Sequence, residues 1–176
     1  ILLFGFAGRF VEEKGFDILL KAIPEVMKKN SKIHFVFAGE TDIPYEHFFA
    51  KNKKLYRNVE KNITKIGLLQ EDELPSYFKL LDYIVVPSRS DCFNLVQAEA
   101  MLAGVPSVVS DIPGARYLVQ KTGFGKTFIS NDVSDLTKKI LHIIDQKQEI
   151  QRKYSQVLAI LDNKKNVAKI KDFITS

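Results

Sequence analysis

Charged side chains occur at several places where this sequence could bind a phosphorylated or hydroxyl-rich ligand. Arg9 and Lys14 flank a short segment that follows an apolar run and precedes a helical pattern. Arginine supplies a planar fork of donors, lysine a compact charge and a helix N-terminus free amides, a combination that suits a diphosphate. Taken alone, each cation is more often simply solvated.

Glu99 occupies a helical pattern in which its neighbours are apolar. If the helix begins near Asn94, the residues one turn away from Glu99 are Leu95, Val96, Leu102 and Ala103. This spacing predicts that the carboxylate projects from a buried face, where an ionised group needs hydrogen-bond donors. Hydroxyls of a bound sugar or ribose would supply them, and so would a donor elsewhere in the fold.

The segment 87–94, which precedes this helix, carries a second carboxylate, Asp91. Asp91 could accept hydrogen bonds from sugar hydroxyls, and the amides around 93–95 would face an anionic or hydroxyl-rich ligand. Without other evidence, capping of the helix by Asp91 or Ser90 is the better explanation. In the segment 65–69, Gly67 allows the backbone to approach a flat ring that an aliphatic side chain covers, although a turn that needs glycine explains the segment equally well.

Two glycine-containing segments only partly match known nucleotide-binding motifs. Residues 122–127 look like a phosphate-binding loop, but position 120 is Gln where the motif needs Gly. Residues 5–8 do not match the G-x-G-x-x-G fingerprint, which argues against an NAD-dependent enzyme.

The composition predicts one globular domain spanning residues 1–176. With 176 residues, of which 45% are hydrophobic and 27% charged, the chain can bury one substantial core but is short for two. The single cysteine, Cys92, excludes a disulfide framework, makes structural zinc improbable and fits a reducing, cytoplasmic compartment. The histidines give Cys92 no recognisable partner pattern, which favours an ordinary loop residue over a nucleophile.

No apolar run approaches the roughly 20 residues that span a bilayer. The chain begins without Met, directly in a strand-like run, which we interpret as a piece of a longer protein.

The distribution of charge bears on possible partners. The net charge of +5 comes from residues after 120, of which 11 are basic and 6 are acidic. These charges are interleaved and aromatic residues are sparse among them, which favours a solvated helical face. Peripheral contact with an anionic membrane is the alternative, and binding of nucleic acid is not expected.

Short apolar runs alternate with helical patterns along the chain. The predicted strands are 1–7, 33–38, 63–66, 83–86, 107–110 and 126–129. The predicted helices are 16–30 with Pro24 as a kink or an end, 45–58, 70–80, one from 94, one capped by Asn131 or Asp132, 150–161 and 167–174. This alternation predicts a Rossmann-like α/β fold, a parallel sheet with helices on both faces and ligands at the carboxyl ends of its strands.

Taken in order, these segments resemble the C-terminal, donor-binding domain of the group 1, or GT4, glycosyltransferases, which implies the C-terminal half of a GT-B fold. Three motifs carry the resemblance, which covers most of the chain. They are Gly8-Arg9 with Lys14-Gly15, the spacing Asp91-x7-Glu99, and the run from Glu99 to Pro106 with Asp111-Ile112-Pro113-Gly114. Each pattern is weak individually, but their joint order and spacing are specific.

The resemblance implies a role for each matching residue. Arg9 and Lys14 would hold the donor diphosphate and stabilise the charge of the leaving nucleotide. Asp91 would contact the transferred sugar, and Glu99 would accept the ribose hydroxyls. Ile66 and Gly67 would lie against the base. The other implied substrate-binding residues are Gly8, Phe93, Asn94 and Leu95.

The resemblance also implies a reaction: metal-independent, retaining transfer from a nucleotide-diphosphate sugar to a polysaccharide, glycolipid or similar acceptor. The acceptor glycan or lipid would bind an N-terminal domain absent from this chain, so the fragment alone should transfer little. The sequence departs from the family at Asp91, where Glu is usual, and at Cys92 and Asn94, where glycines are common. A sugar-nucleotide epimerase of the same layout and a non-catalytic nucleotide-sugar binding module remain as alternatives.

Overall fold

The apolar runs form one parallel sheet in the computed structural model, which describes residues 1–41 and 43–161. The strand order is β3-β2-β1-β4-β5-β6, and every neighbouring pair is parallel. The strands are β1 Leu2–Ala7, β2 Ile33–Ala38, β3 Ile63–Gly67, β4 Tyr83–Val86, β5 Ser107–Ser110 and β6 Gly125–Phe128. The predicted bounds of β2, β4 and β5 are confirmed, whereas β6 begins and ends one residue earlier than predicted.

Helices cover both faces of this sheet, which confirms the predicted Rossmann-like fold. They are α1 Phe16–Lys29, α2 Phe48–Lys51, α3 Lys53–Val59, α4 Leu74–Leu80, α5 Leu95–Leu102, α6 Pro113–Thr122, α7 Val133–Asp145, α8 Lys147–Gln151 and α9 Tyr154–Leu161. Along β4, Tyr83 and Val85 pack into the core that contains α1 and α7, while Ile84 and Val86 pack into the core that contains α4. Alternate side chains therefore enter opposite cores, as strand geometry requires.

Two predicted helices are shorter than their sequence patterns. The single helix predicted for 45–58 is wrong, because His47 adopts a left-handed conformation (φ 52°) and Asn52 separates α2 from α3. The helix predicted from Gln70 begins only at Leu74. Its acidic residues form the preceding turn, in which Glu73 Oε2 accepts a hydrogen bond from Gln70 N at 2.8 Å.

The remaining helices agree in part with the predictions. Pro24 lies inside α1, which continues to Lys29, and Asp132 caps α7 by accepting from Asp135 N at 2.9 Å. The predicted helix 150–161 is divided into α8 and α9, and the helix predicted for 167–174 lies outside the described residues. Sequence reasoning missed α6.

The strand order creates a crevice at the carboxyl ends of β1 and β4. These strands are neighbours, but the chain leaves β1 towards β2 and leaves β4 towards β5, on opposite sides. The two connections diverge there, and ligands of open α/β sheets bind at such a switch point. The loops that border the crevice are 8–15 and 87–94, the two segments with the predicted phosphate and sugar contacts.

Candidate functional site

The loop after β1 is held in place by aromatic packing. Phe10 is fully buried, and its ring meets that of Phe16 edge-on at a centroid distance of 4.3 Å. Gly15 ends a single turn of 3-10 helix in the left-handed conformation (φ 67°), where a Cβ would overlap the carbonyl oxygen of Pro87. The absence of a side chain at Gly15 therefore allows the loop with Lys14 to lie directly against the start of the loop after β4.

Lys14 and Asp91 form an ion pair across the crevice. Lys14 Nζ lies 2.9 Å from Asp91 Oδ2, with the two side chains 25% and 10% exposed. The same carboxylate oxygen accepts a hydrogen bond from Asn94 Nδ2 at 2.7 Å. Asn94 in turn caps α5, since its Oδ1 accepts from Gln97 N at 2.8 Å. The alternative that Asp91 or Ser90 caps this helix is thus wrong, and the Asp91 carboxylate is left facing Lys14.

A cavity of about 190 Å³ lies beside this ion pair at the ends of β1 and β4. Its walls include backbone and side chains of both strands and of both loops. The predicted site residues that line it are Gly8, Lys14, Asp91, Phe93, Asn94 and Leu95. The structure therefore brings together six of the predicted positions from segments far apart in sequence.

Arg9 faces a second cavity of about 220 Å³ rather than the first. It is exposed, and its Nη1 donates to the hydroxyl of Tyr45 at 2.9 Å. The two cavities share Ala7, Gly8 and Val96 in their walls. Arg9 and Lys14 thus belong to adjoining cavities, and sequence reasoning missed Tyr45 as the partner of Arg9.

The end of β3 forms part of the same second cavity. Its wall there is made by Leu68 and Leu69, whereas Ile66 is exposed and lies outside this lining. Gly67 adopts a left-handed conformation (φ 83°), and its carbonyl accepts from Gly39 N at 2.7 Å. The apolar surface beside Gly67 therefore comes from the residues that follow it.

The prediction that Glu99 projects from a buried face is wrong. Glu99 is exposed, and two of its apolar neighbours are exposed as well, Leu95 at 66% and Leu102 at 42%. Helix α5 instead buries its opposite side, including the polar Gln97. Glu99 lines an open groove between α4 and α5, which shares Leu74 with the second cavity.

Helix α6 supports the loop that carries Asp91. A Cβ on Gly114 would overlap the carbonyl oxygen of Asp91, so the glycine permits close packing of the two segments. Asn94 N donates to Gly114 O at 3.4 Å. This contact corrects the expectation that the Asn94 amide faces a ligand, because the amide already has a partner within the fold.

Sequence reasoning also missed a partly buried ion pair next to the two loops of the crevice. Arg89 Nη1 and Nη2 donate to the two carboxylate oxygens of Asp17 at 2.8 and 3.0 Å. Burial raises the pKa of Asp17, but hydrogen bonds from Arg89 and Lys21 outweigh this effect and hold the pKa below its ordinary value. In the sequence, Asp17 and Lys21 have the spacing of an ordinary i,i+4 helix pair. This spacing gives no indication that Arg89 also contacts Asp17.

Three further features concern the described parts of the chain. Within residues 1–41 and 43–161, no group of three or more His, Cys, Asp or Glu side chains is arranged to hold a metal ion. Cys92 is an exposed free cysteine. In the same ranges, no helix combines the length and apolar character needed to cross a membrane.

Comparison with known families agrees with this architecture. The family described as glycosyl transferases group 1 matches residues 2–146. The chain belongs to this family. Among curated relatives of this group 1 domain, an uncharacterized glycosyltransferase of Methanocaldococcus jannaschii is 29% identical over 81% of the chain and 38% of its own length. Protein CapJ of Staphylococcus aureus is 31% identical over 90% of the chain and 38% of its own length. The chain thus spans less than two fifths of either relative.

Solved structures show the same fold. Anabaena HepE in complex with UDP superposes with a TM-score of 0.83 at 21% identity, over 99% of this chain and 47% of that one. The C-terminal domain of a group 1 glycosyl transferase, LpcC of Francisella tularensis, gives a TM-score of 0.76 at 20% identity, over 90% of this chain and 84% of that one. The group 1 domain therefore has the fold of half of a GT-B enzyme.

Proposed function

We propose that this domain binds a nucleotide-diphosphate sugar and serves as the donor domain of a retaining glycosyltransferase. The observation that carries the proposal is the Lys14–Asp91 pair beside a cavity at the β1/β4 switch point. The pair offers a cation for a diphosphate next to a carboxylate for sugar hydroxyls, which are the two ends of one ligand. Family membership supports the assignment.

Each group has a distinct task in this proposal. Lys14 and Arg9 contact the diphosphate from the two adjoining cavities and stabilise the negative charge that develops on the leaving phosphate oxygen. Asp91 accepts hydrogen bonds from hydroxyls of the sugar. The base and ribose lie in the second cavity and the adjoining groove, where the exposed carboxylate of Glu99 accepts from the ribose hydroxyls.

Similar proteins support a nucleotide sugar as the ligand. The Anabaena HepE structures that share this fold were solved with UDP and with UDP-glucose. Curated relatives include a protein of the cps region of Klebsiella pneumoniae and a D-inositol 3-phosphate glycosyltransferase of Segniliparus rotundus. For the whole protein we propose a polysaccharide, a lipid or another glycoconjugate as the acceptor, and a reaction without a metal cofactor.

A nucleotide screen tests the proposal directly. UDP, GDP and ADP are added to the chain, each with and without glucose or mannose attached, and thermal unfolding is measured first without EDTA and then with EDTA. A ligand at about 100 times its dissociation constant adds about 2.7 kcal/mol to the free energy of unfolding, which is readily detected. Arg9→Ala and Glu99→Ala should weaken binding while the variants remain folded.

The contrary outcomes are equally clear. Absence of stabilisation by all the nucleotides and nucleotide sugars at millimolar concentration would remove the donor-domain assignment. Unchanged calorimetric affinity in both variants would remove the assigned residues. Stabilisation that disappears on addition of EDTA would show that the proposed metal-independent binding is wrong.

A further inference from the structure

Arg89 lies where three loops at the carboxyl edge of the sheet meet. Besides its two hydrogen bonds to Asp17, its Nη1 donates to Glu12 O at 2.6 Å and its Nε donates to Asn131 Oδ1 at 2.8 Å. Its backbone N donates to Glu13 O at 2.7 Å. One residue therefore joins the loop after β4 to the loop after β1 and to the segment that follows β6.

The Arg89–Asp17 pair has the features of a contact that fixes a single geometry. The Asp17 side chain is only 8% exposed, and Arg89 is 25% exposed. Both carboxylate oxygens accept from the planar guanidinium, an arrangement that the single ammonium of lysine cannot reproduce. Removal of Arg89 would leave the Asp17 carboxylate largely buried, with only the exposed Lys21 as a charged partner.

The Arg89–Asp17 pair lies outside the crevice, and Arg89 connects the two loops that border it. Arg89 lies two residues before Asp91, and its backbone-carbonyl partner Glu12 lies two residues before Lys14. Neither Arg89 nor Asp17 lines either of the cavities at the crevice. If one loop moved relative to the other, the Lys14 ammonium and the Asp91 carboxylate would move apart. Only the reach of these two side chains could compensate for such a displacement.

We propose that Arg89 and Asp17 are positioning residues that hold Lys14 and Asp91 in register for the donor diphosphate. This inference rests on the proposed function of the crevice. The pair acts through the two loops and does not touch the ligand. Its loss should therefore weaken binding of the phosphate part of the ligand and leave binding of the nucleoside part unchanged.

The experiment compares four variants of the 176-residue chain: Arg89→Ala, Arg89→Lys, Asp17→Asn and, as a control, Lys147→Ala. The control removes an ion pair to Asp82 at the same 2.9 Å distance as that of Lys14, but at the amino end of β4. Affinity for UDP is measured by calorimetry below the unfolding temperature of every variant, and affinity for uridine by saturation-transfer NMR. Hydrogen exchange of the amides in 8–15 and 87–94 is measured without ligand.

We expect Arg89→Ala to bind UDP roughly 10-fold or more weakly, because small displacements of positioned groups carry large penalties. Uridine affinity should be unchanged, and exchange should accelerate in both loops. Arg89→Lys, which keeps the charge without the planar fork, should fall between Arg89→Ala and the unaltered chain. Lys147→Ala should retain UDP affinity even if it lowers the unfolding temperature. If Arg89→Ala does not fold, Arg89→Lys and Asp17→Asn carry the same comparison.

Two results would overturn the positioning role: UDP affinity unchanged in all variants of the pair, or UDP and uridine affinity lost to the same degree. If GDP or ADP binds in place of UDP, that nucleotide and its nucleoside replace UDP and uridine in the comparison. Failure of the proposed function is distinguishable, because then none of UDP, GDP and ADP binds the unaltered chain. In that case hydrogen exchange alone decides. Faster exchange confined to the two loops in Arg89→Ala supports the positioning role, and unchanged exchange there refutes it.

Discussion

Removal of Lys14 should weaken binding of UDP more than removal of Lys14 and the Asp91 charge together. Lys14→Ala deletes the cation that faces the cavity and leaves the Asp91 carboxylate in place, still held by Asn94 Nδ2 at 2.7 Å. The double variant Lys14→Ala with Asp91→Asn removes the negative charge as well, with little change of shape. Because UDP lacks the sugar, the role of Asp91 towards sugar hydroxyls does not enter the comparison.

The magnitudes follow from the geometry of the pair. A hydrogen bond to a charged group contributes roughly 1.5–3 kcal/mol, which corresponds to about 10- to 150-fold in affinity. An unpaired carboxylate about 5 Å from a phosphate adds a repulsion of roughly 1–3 kcal/mol for effective dielectric constants between about 80 and 20. Deletion of the Lys14 side chain, which is 25% exposed, opens the Asp91 carboxylate to solvent, so the weaker end of that range applies. We therefore expect a loss of about 100-fold for Lys14→Ala, of which Asp91→Asn restores about 5-fold.

Isothermal titration calorimetry with UDP at low ionic strength measures both variants. Addition of about 1 M salt should reduce the difference between them, because salt screens the repulsion. Lys147→Ala serves as the control for general loss of a lysine, since its ion pair with Asp82 has the same 2.9 Å length. If the double variant binds UDP no better than Lys14→Ala, the Asp91 carboxylate does not face the phosphate site, and the geometry assigned to the ligand is wrong.

Four further changes test other parts of the structure. Asn94→Ala should lower the free energy of unfolding by about 1 kcal/mol through loss of the α5 cap; urea unfolding measures this, and no loss would mean that the cap is dispensable. Phe10→Ala should lower the free energy of unfolding by about 3–5 kcal/mol in the same measurement, because the ring is fully buried in the aromatic core. A decrease below about 1 kcal/mol would show that Phe10 does not anchor the loop. Glu99→Gln should change stability by no more than about 0.5 kcal/mol because the side chain is exposed, yet reduce nucleotide affinity in calorimetry; a large stability loss would contradict its exposed position. The pKa of Asp17 is lower in the folded chain than its ordinary value of 3.8, so the unfolded chain takes up the proton first; its stabilising contribution is complete above about pH 5 and is lost as pH falls through the folded-state pKa. The stability difference between the unaltered chain and Asp17→Asn should therefore shrink below about pH 4, and a difference that grows on acidification would reverse this assignment.

The strands could be predicted because their signal is local. Every residue of Tyr83–Val86 and Ser107–Ser110 is buried, and in both strands a short run rich in valine coincides with the strand. Helix α6 escaped prediction because it begins with Pro113 and Gly114, residues that usually indicate a turn. Here Pro113 occupies the first turn, where it loses no hydrogen bond, and Gly114 packs against the Asp91 loop.

The error at Glu99 has a different origin. Apolar residues around a carboxylate usually indicate a buried face, but beside Glu99 the apolar Leu102 and Ala103 line an open groove, while the polar Gln97 is among the fully buried residues of α5. Which side of a short helix packs on the sheet depends on its neighbours, here α4 and α9, and not on its own pattern. The contact between Lys14 and Asp91 could not be predicted from local sequence patterns either, because the two residues are 77 positions apart.

The ion pair at the crevice is compatible with ligand binding because neither partner is saturated by the other. The Lys14 ammonium has three donors, and one is used by Asp91; the carboxylate has about four acceptor sites, of which Lys14 and Asn94 use two at the same oxygen. A diphosphate can therefore reach Lys14, and sugar hydroxyls can reach the other oxygen of Asp91, without disruption of the pair. In the proposed complex, this 2.9 Å contact would fix the spacing between the phosphate and sugar contacts. Asn94, the cap of α5, holds the Asp91 carboxylate in this position from the start of the helix that follows.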